Sequence, residues 1–473
     1  MTSGQPNGVL AALLTELDWS PRALARRINR HYGAGTVAET APYHWRDAGR
    51  VPRTPVPSYV AGVLARELGR PVTVAELWQG NASESAVSTT ADQAMHQPWS
   101  RAGALAVLDD WLVSGLVDRR QFLAVTGATL TAMISGYTPD GIGRLVAALN
   151  GGRVVDPLLE QIEQGIPLLQ RLDDATGGGT HLTYIGTQFR AVTLVLRRGG
   201  HSAKVEARLF VALAELGQLA GWMAFDAGGH GLAQRYFFTA LRAANEAGYR
   251  SMAAHVLADL AFQAATCERP TDAVTLGETA LRASTNAPAT VRASVLSRAA
   301  YGYAIADRTT EFERAYRDGL EVLDRRGEDE PAWMYFLTAN HLDAQAGYAL
   351  VHAGILALDH GDSARAGSLL RQGHRLLRTG VHDTPLTDET QQRRAMFEGA
   401  WLAVAAAGRG DLEQACIEGR HALARTTSVE SSRSMDVLRA LHVRLRHRHQ
   451  NEHVADFLPV LDAATSGSAF PRS

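Results

Sequence analysis

The sequence predicts an all-α protein: a small N-terminal helical domain, then an α-solenoid of helix hairpins. Three observations carry this reading. Apolar residues fall at steps of three and four through most of the chain, the period that lines one face of a helix. Small residues and turn glycines accompany those stripes in an order that recurs between residues 209 and 422. The first 80 residues differ in texture, with short helical stripes, several prolines and more arginine than acid.

The clearest hairpin is Leu209–Gly248. Leu209, Ala212, Leu213, Leu216, Ala220, Met223 and Ala227 share one helical face, and Ala233, Tyr236, Phe237, Ala240, Leu241 and Ala244 form a second stripe. Gly228 and Gly229 between them are expected to end the first helix by supplying positive φ, which other residues resist. Gly221, Ala233 and Ala240 let two backbones approach, and Phe237 fills the gap. One such pair cannot bury its own stripe, so copies are required. They follow as Ala261, Ala264, Ala273, Gly277 and Ala280; Ala300, Tyr303, Phe312, Tyr316 and Gly319; Gly354, Ala357, Gly361, Ala366, Leu370 and Gly373; and Ala403, Ala406, Gly410, Ala415, Gly419 and Ala422. From Ala233 the equivalent position recurs after 40, 39 and 54 residues. The long gap predicts an extra helix around Ala332 to Tyr348.

This order of small residue, turn glycine, Ala, Phe and Ala resembles the tetratricopeptide repeat, with Gly217 where that family has a leading Trp. The spacings exceed the roughly 34 residues of the family, so longer helices or looser turns are expected. A weaker hairpin is expected over Ile162–Leu196, with Leu168, Leu169 and Leu172 on one face. Its turn holds Gly177, Gly178 and Gly179, which lack the lysine and Ser/Thr of a phosphate loop and read as a flexible connection.

In the first domain Val9, Leu10, Leu13, Leu14 and Leu17 line one helix. Ser20 is placed to cap a second, with Pro21 at a position where its missing N–H costs nothing. Leu24, Ala25 and Ile28 face inward there, and Arg22, Arg26, Arg27 and Arg30 outward. Thr40 is expected to cap a third helix, APYHWRDA, anchored by Trp45 and closed by Gly49; Val56–Leu68 and Thr73–Trp78 follow. The run of Ser-Pro, ALARRIN, TAPYHW, RDAGRVP and LGRPVTVAELW resembles the helix-turn-helix domain of repressor-like (XRE-type) transcriptional regulators of actinobacteria. The LDDATGGG stretch at 172–179 extends that resemblance into the middle of the chain. It implies a second helix across the DNA backbone and a third in the major groove. Carried onto these residues, it makes Tyr43, His44 and Arg46 candidates for base edges, and Arg22, Arg26, Arg50 and Arg53 candidates for phosphates. Nine arginines against six acids give residues 1–80 a charge of +3.

Composition narrows the rest. A net charge of −2 over 473 residues argues against blanket electrostatic binding and leaves local patches. Cys267 and Cys416 each fall in a predicted repeat helix, so no disulfide framework is expected and a reducing cytoplasm fits. No signal peptide and no bilayer-length apolar span is read. The export-like DRRQFLAVTGATLTAMISG begins at Asp118, far from a free N-terminus, and reads as a core helix. Gly80–Pro98 is rich in small polar residues and reads as a linker. The expected domains are therefore 1–80, a linker over 81–100, a helical connector over 101–155 and the repeats over 156–465.

Nothing points to catalysis. His447, His449 and His453 with Glu452 are the densest ligand-like cluster, but Arg444, Arg446 and Arg448 repel a cation, so a solvated basic terminal helix is favoured. No nucleophile-elbow pattern occurs. The chain is expected to bind double-stranded DNA as a transcriptional regulator without cofactor, metal or membrane. Its repeats would dimerise it, or take a peptide, small molecule or protein on their concave wall, where Trp222, Phe225 and Trp333 are candidates. By resemblance the controlled genes concern development or secondary metabolism. The alternative is a repeat scaffold that binds proteins and no DNA.

Overall fold

Asn7 starts the first helix by accepting from the Leu10 amide at 2.9 Å, a cap the sequence reading passed over. Helix α1 (Gly8–Glu16) is followed by α2 (Pro21–Tyr32), α3 (Ala41–Asp47) and α4 (Val56–Leu68). The structure is a computed structural model that describes residues 6–32, 36–52, 56–68, 72, 77–78, 97–114, 156–199, 201–382, 384–387 and 391–466. Arg53, nearly all of the 80–98 stretch, the export-like segment 118–136 and most of the short helix expected at 73–78 lie outside those residues. The described residues are helical, with no strand among them, and fall into two compact units, 6–78 and 97–466.

In the first unit Ser20 caps α2 as its type predicts, its hydroxyl accepting from the Ala23 amide at 3.1 Å. Thr40 does not cap α3. Its backbone is already helical, at φ −88° and ψ −14°, whereas a capping side chain needs an extended backbone to reach back. The turn into α3 is held instead by Asn29, whose amide donates to the Val37 carbonyl at 2.9 Å while its oxygen accepts from the Val37 amide at 2.8 Å. Leu10, Leu13, Leu14, Leu24, Ala25, Ile28, Trp45, Val60, Leu64 and Trp78 share one core, with Trp45 as the anchor of α3.

The second unit opens on Pro98–Ser100, which is docked on the array rather than free as a linker would be. Arg242 donates to the Pro98 carbonyl at 3.0 Å and lies 4.7 Å from the Trp99 ring centre. Helix α5 (Arg101–Ser114) continues from there. Seven hairpins follow: α6 (Asp156–Thr176) with α7 (Gly178–Arg198), α8 (Ala203–Asp226) with α9 (His230–Glu246), α10 (Arg250–Thr266) with α11 (Pro270–Ala283), α12 (Ala289–Ile305) with α13 (Thr309–Asp324), α14 (Ala339–Asp359) with α15 (Ser363–His382), α16 (Gln392–Gly408) with α17 (Leu412–Ala424), and α18 (Ser432–Leu445) with α19 (Glu452–Ser466). Helices α8, α10, α12, α14, α16 and α18 each pack on the next of that row, making an inner wall. Helices α8, α10, α12, α14 and α16 are buried on almost every side, whereas α13 buries a single stripe, Phe312, Ala315, Gly319 and Leu323. A helix apolar all round belongs between neighbours, and a striped one belongs at the rim.

Close approach follows the small residues. A Cβ on Gly221 would stand 2.5 Å from the Phe237 ring, and one on Gly419 would stand 2.6 Å from the Phe457 ring. At the hairpin turns Gly228, Gly248, Gly361 and Gly410 take positive φ, while Gly229 does not. Glu268 and Asp307 take the same left-handed conformation without being glycine.

Further expectations change. The gap before the fourth repeat holds no extra helix; it is spanned by a strap, Pro331–Leu337, with one 3-10 turn at Ala332–Met334, and by the long α14. Met334 and Leu337 bury against Val291, Leu323 and Leu342, which pins the strap. The basic C-terminal stretch is not one helix: α18 ends at Leu445 and α19 starts at Glu452, so His449 and His453 share no face. Helix α8 is long and apolar enough to cross a bilayer, contrary to the reading that no span is; 78% of its apolar window is buried in the array, the setting of a core helix.

Gly177–Gly179 is no flexible connection. Gly177 sits at φ +85°, and a Cβ there would stand 2.5 Å from the Glu430 carbonyl; one on Gly178 would stand 2.4 Å from the Met223 carbonyl. The Glu430 amide also donates to the Thr176 carbonyl at 2.9 Å. Gly177→Ala is therefore expected to destabilise the array by at least ~2 kcal/mol in urea unfolding, from left-handed strain plus a backbone clash.

Candidate functional site

The inner wall places chemistry at steps of three and four. Helix α8 carries Trp222, Phe225 and Asp226; α10 carries His255, Asp259 and Phe262; α12 carries Arg298 and Tyr301; α14 carries His341, Tyr348 and His352; and α16 carries Arg393, Arg394, Phe397, Glu398 and Trp401. The rings form a staircase from hairpin to hairpin: Trp222 to Phe262 at 5.6 Å, Phe262 to Tyr301 at 5.3 Å, Tyr301 to Tyr348 at 5.6 Å and Tyr348 to Phe397 at 5.2 Å, mostly edge to face as ring quadrupoles prefer.

Arginines converge on the first step. The guanidinium carbons of Arg433, Arg298 and Arg393 lie 5.1, 5.7 and 6.0 Å from the Trp222 ring centre. Three buried like charges persist only with counter-charges, and each has one. Arg433 meets Asp226 at 3.1 Å, Arg298 meets Asp259 at 3.0 Å, and Arg393 meets Asp174 at 2.6 Å and Asp173 at 3.2 Å. Asp226 also accepts from Ser431 at 2.9 Å and from the Gly178 amide at 3.3 Å. These bonds tie the last hairpin to α8 and to the α6–α7 turn. His341 is held well below the usual imidazole range, first by burial and then by Arg394, Arg298, Arg393 and Arg433. Burial pushes the Asp173 carboxyl up to about 7, with Arg393 pulling the other way.

The sign of that shift gives a pH dependence. Between the unfolded carboxylate range and about pH 7 the folded chain holds a proton on Asp173 that the unfolded chain has released. Asp173 therefore favours folding most at the acid end of this window, and that contribution is lost as pH rises through about 7. The melting temperature of Asp173→Asn is expected to fall less between pH 6 and 8 than that of the parent, about one proton's worth of dependence being removed. Equal slopes in the two proteins would exclude this.

Of the wall residues read from sequence, Trp222 is half-buried under the three guanidiniums. Phe225 is 1% exposed and offers no surface to a ligand, because it packs between Phe262 and His230. Trp333 belongs to the strap, not to a first helix of a hairpin. Its indole N–H donates to the Tyr249 hydroxyl at 2.7 Å and its ring stands 4.8 Å from His255.

In the first unit α3 turns Pro42 and Trp45 inward and presents Tyr43, His44 and Asp47 to solvent, with Arg46 half-buried beside them. Arg46 grips its neighbour Asp47 through two bonds, at 2.6 and 3.0 Å, and its guanidinium lies 5.5 Å from the Tyr43 ring centre. The salt bridge raises the Arg46 pKa and lowers that of Asp47. Arg22 and Arg26, one turn apart on α2, share Glu39, which they hold below the usual carboxylate range. Arg50 is exposed just after the helix, its amide donating to the His44 carbonyl at 3.2 Å. Six of the seven candidate DNA contacts thus lie on α2, on α3 or directly after it; Arg53 lies outside the described residues.

This unit is bounded by its own core, whose first and last members are Leu10 and Trp78. Residues 10–78 match the family model described as the SP15 N-terminal domain. The match begins and ends on two residues that are buried in this core. No curated protein and no solved structure matches the chain.

Sequence reasoning missed the arginine hub inside the second unit. A signal was present: Asp226, Asp259 and Arg298 each stand among apolar neighbours on their helices, and a buried charge must find a partner.

Proposed function

We propose that the chain is a DNA-binding transcriptional regulator whose N-terminal unit, the one matching the SP15 N-terminal domain, reads a duplex through α3. The observation that carries this is the outward face of a short helix fixed by Trp45, on which Tyr43, His44 and Arg46 stand together with Arg50 just beyond. Arg46 there is held by a surface ion pair to Asp47, and such pairs contribute little net stability and are exchanged for phosphate or base edges at small cost. The array of hairpins, tetratricopeptide-like in its small-residue pattern, serves as the dimerising and signal-sensing body of a cytoplasmic homodimer. The resemblance to actinobacterial repressor-like regulators supports the same assignment and suggests control of development or secondary metabolism.

The test is genome-wide mapping of bound DNA with the full chain and with a chain lacking residues 1–80. Discrete sites that vanish on deletion are expected. Binding in vitro should weaken steeply with salt, as the release of several phosphate counterions requires. A full chain that enriches no DNA and instead retains a stoichiometric protein partner would replace this reading with the scaffold.

A further inference from the structure

The tip of α6 is held the way a bound peptide is held. Arg393 of α16 grips it three times: its Nε donates to the Asp173 carbonyl at 3.0 Å, and its terminal nitrogen lies 2.6 Å from Asp174 Oδ1 and 3.2 Å from Asp173 Oδ2. Tyr335 of the strap donates to Asp174, and Gln170 of α6 donates to the Trp333 carbonyl at 2.8 Å. Behind Arg393 lies the Trp222 indole, shared with Arg298 and Arg433. Side-chain carboxylates on arginine, a main-chain carbonyl on the same guanidinium and an aromatic wall make a recognition set for an acidic peptide segment.

Two further observations say that this occupant is exchangeable. The wall and tip keep buried polar atoms that make no hydrogen bond among the described residues: Asp173 Oδ1, Arg298 Nε and His341 Nδ1. Buried groups left so are costly, and a ligand that supplied partners would gain from them. Burial also keeps Asp173 from full ionisation near neutral pH, so the tip is a poorer anion than two free carboxylates.

We propose that Arg393, Trp222 and Tyr335 form a carboxylate-recognition site, occupied in this structure by the protein's own Asp173–Asp174 and exchangeable for an acidic peptide segment. Because α6 and the strap both close over the inner wall, exchange frees the α6–α7 turn from Glu430 and Asp226. The inference rests on the sensing half of the proposed function and not on its DNA-binding half.

The experiment uses the full chain and two probes, acetyl-Leu-Asp-Asp-Ala-Thr-amide and succinate, with titration calorimetry and amide exchange at 177–179 as readouts. A tethered occupant competes at an effective concentration of order mM, so the parent should bind the peptide only above ~1 mM. Asp173→Asn/Asp174→Asn weakens the occupant and is expected to bind the peptide at least about tenfold more tightly, with faster exchange at the turn. Adding Arg393→Gln should abolish that gain. Tighter binding of peptide than of succinate assigns part of the recognition to the main-chain contact, and equal binding assigns it to the carboxylates; both support the site. A folded Asn/Asn variant that binds neither probe, or binds regardless of Arg393→Gln, overturns it. Should Asn/Asn fail to fold, Gln170→Ala frees the tip from the Trp333 carbonyl without touching Arg393, Trp222 or Tyr335; no gain in peptide affinity there also overturns it. No arm reads DNA binding, so this proposal and the DNA-binding proposal fail separately.

Discussion

Replacing Arg433 with Ala is expected to destabilise the helix array by about 3–5 kcal/mol, because it leaves Asp226 buried without its cation. Asp226 is fully buried, and Ser431 and the Gly178 amide are its other partners, two neutral donors for a full charge. Arg433 also packs against rings of three other helices, with its guanidinium 4.1 Å from the Phe397 centre, 5.1 and 5.4 Å from Trp222 and Phe225, and 5.7 Å from Phe262. The loss should appear as a lower urea midpoint and as weakened near-UV ellipticity from those aromatics. The double replacement Asp226→Asn/Arg433→Met removes both charges and should recover much of the loss, since an apolar pair of similar volume is often no worse than a buried ion pair. A single variant within about 1 kcal/mol of the parent would mean that solvent reaches Asp226 and that the closure drawn here is loose.

Replacing Tyr43 and Arg46 together with Ala should cut affinity for bound DNA at least about a hundredfold while leaving helicity, melting and oligomeric state unchanged. The two effects separate because Tyr43 is exposed and the Arg46–Asp47 pair is at the surface, so neither supports the core around Trp45. Asp47→Asn is expected to act in the opposite direction. It frees Arg46 from a bidentate partner and removes a carboxylate from the face that meets phosphate, so affinity should rise, most at low salt. DNA affinity unaltered in the double variant would remove α3 from the role given to it.

Much of the fold was legible because it is local. Steps of three and four placed the helices, the repeat glycines Gly228, Gly361 and Gly410 take the positive φ of a turn, and Gly221 with Phe237 announced the close approach between two helices. The spacings beyond the usual repeat reflect helices of 17 to 24 residues at α8, α10, α12 and α14 and, before the fourth unit, the strap. Errors came where local pattern meets a distant partner. Gly177–Gly179 looks like any loose glycine turn until Glu430 and Met223 are seen against it. Thr40 has the chemistry of a cap but not the backbone angles. Phe225, chosen as a wall aromatic, is sealed by neighbours from α10 and by His230.

The helices with clear stripes, such as α8 and its partner α9, and the solvent-facing side of α3 are written in short-range periodicity, since a helix exposes its pattern within a few turns and a stripe must be covered by whatever follows it. Which charges meet inside the array is not. Asp226 and Arg433 are 207 residues apart, and Asp173 and Arg393 are 220 apart. Such pairs depend on how far the superhelix has turned by its sixth hairpin, a sum of small rotations at every interface that no single repeat encodes.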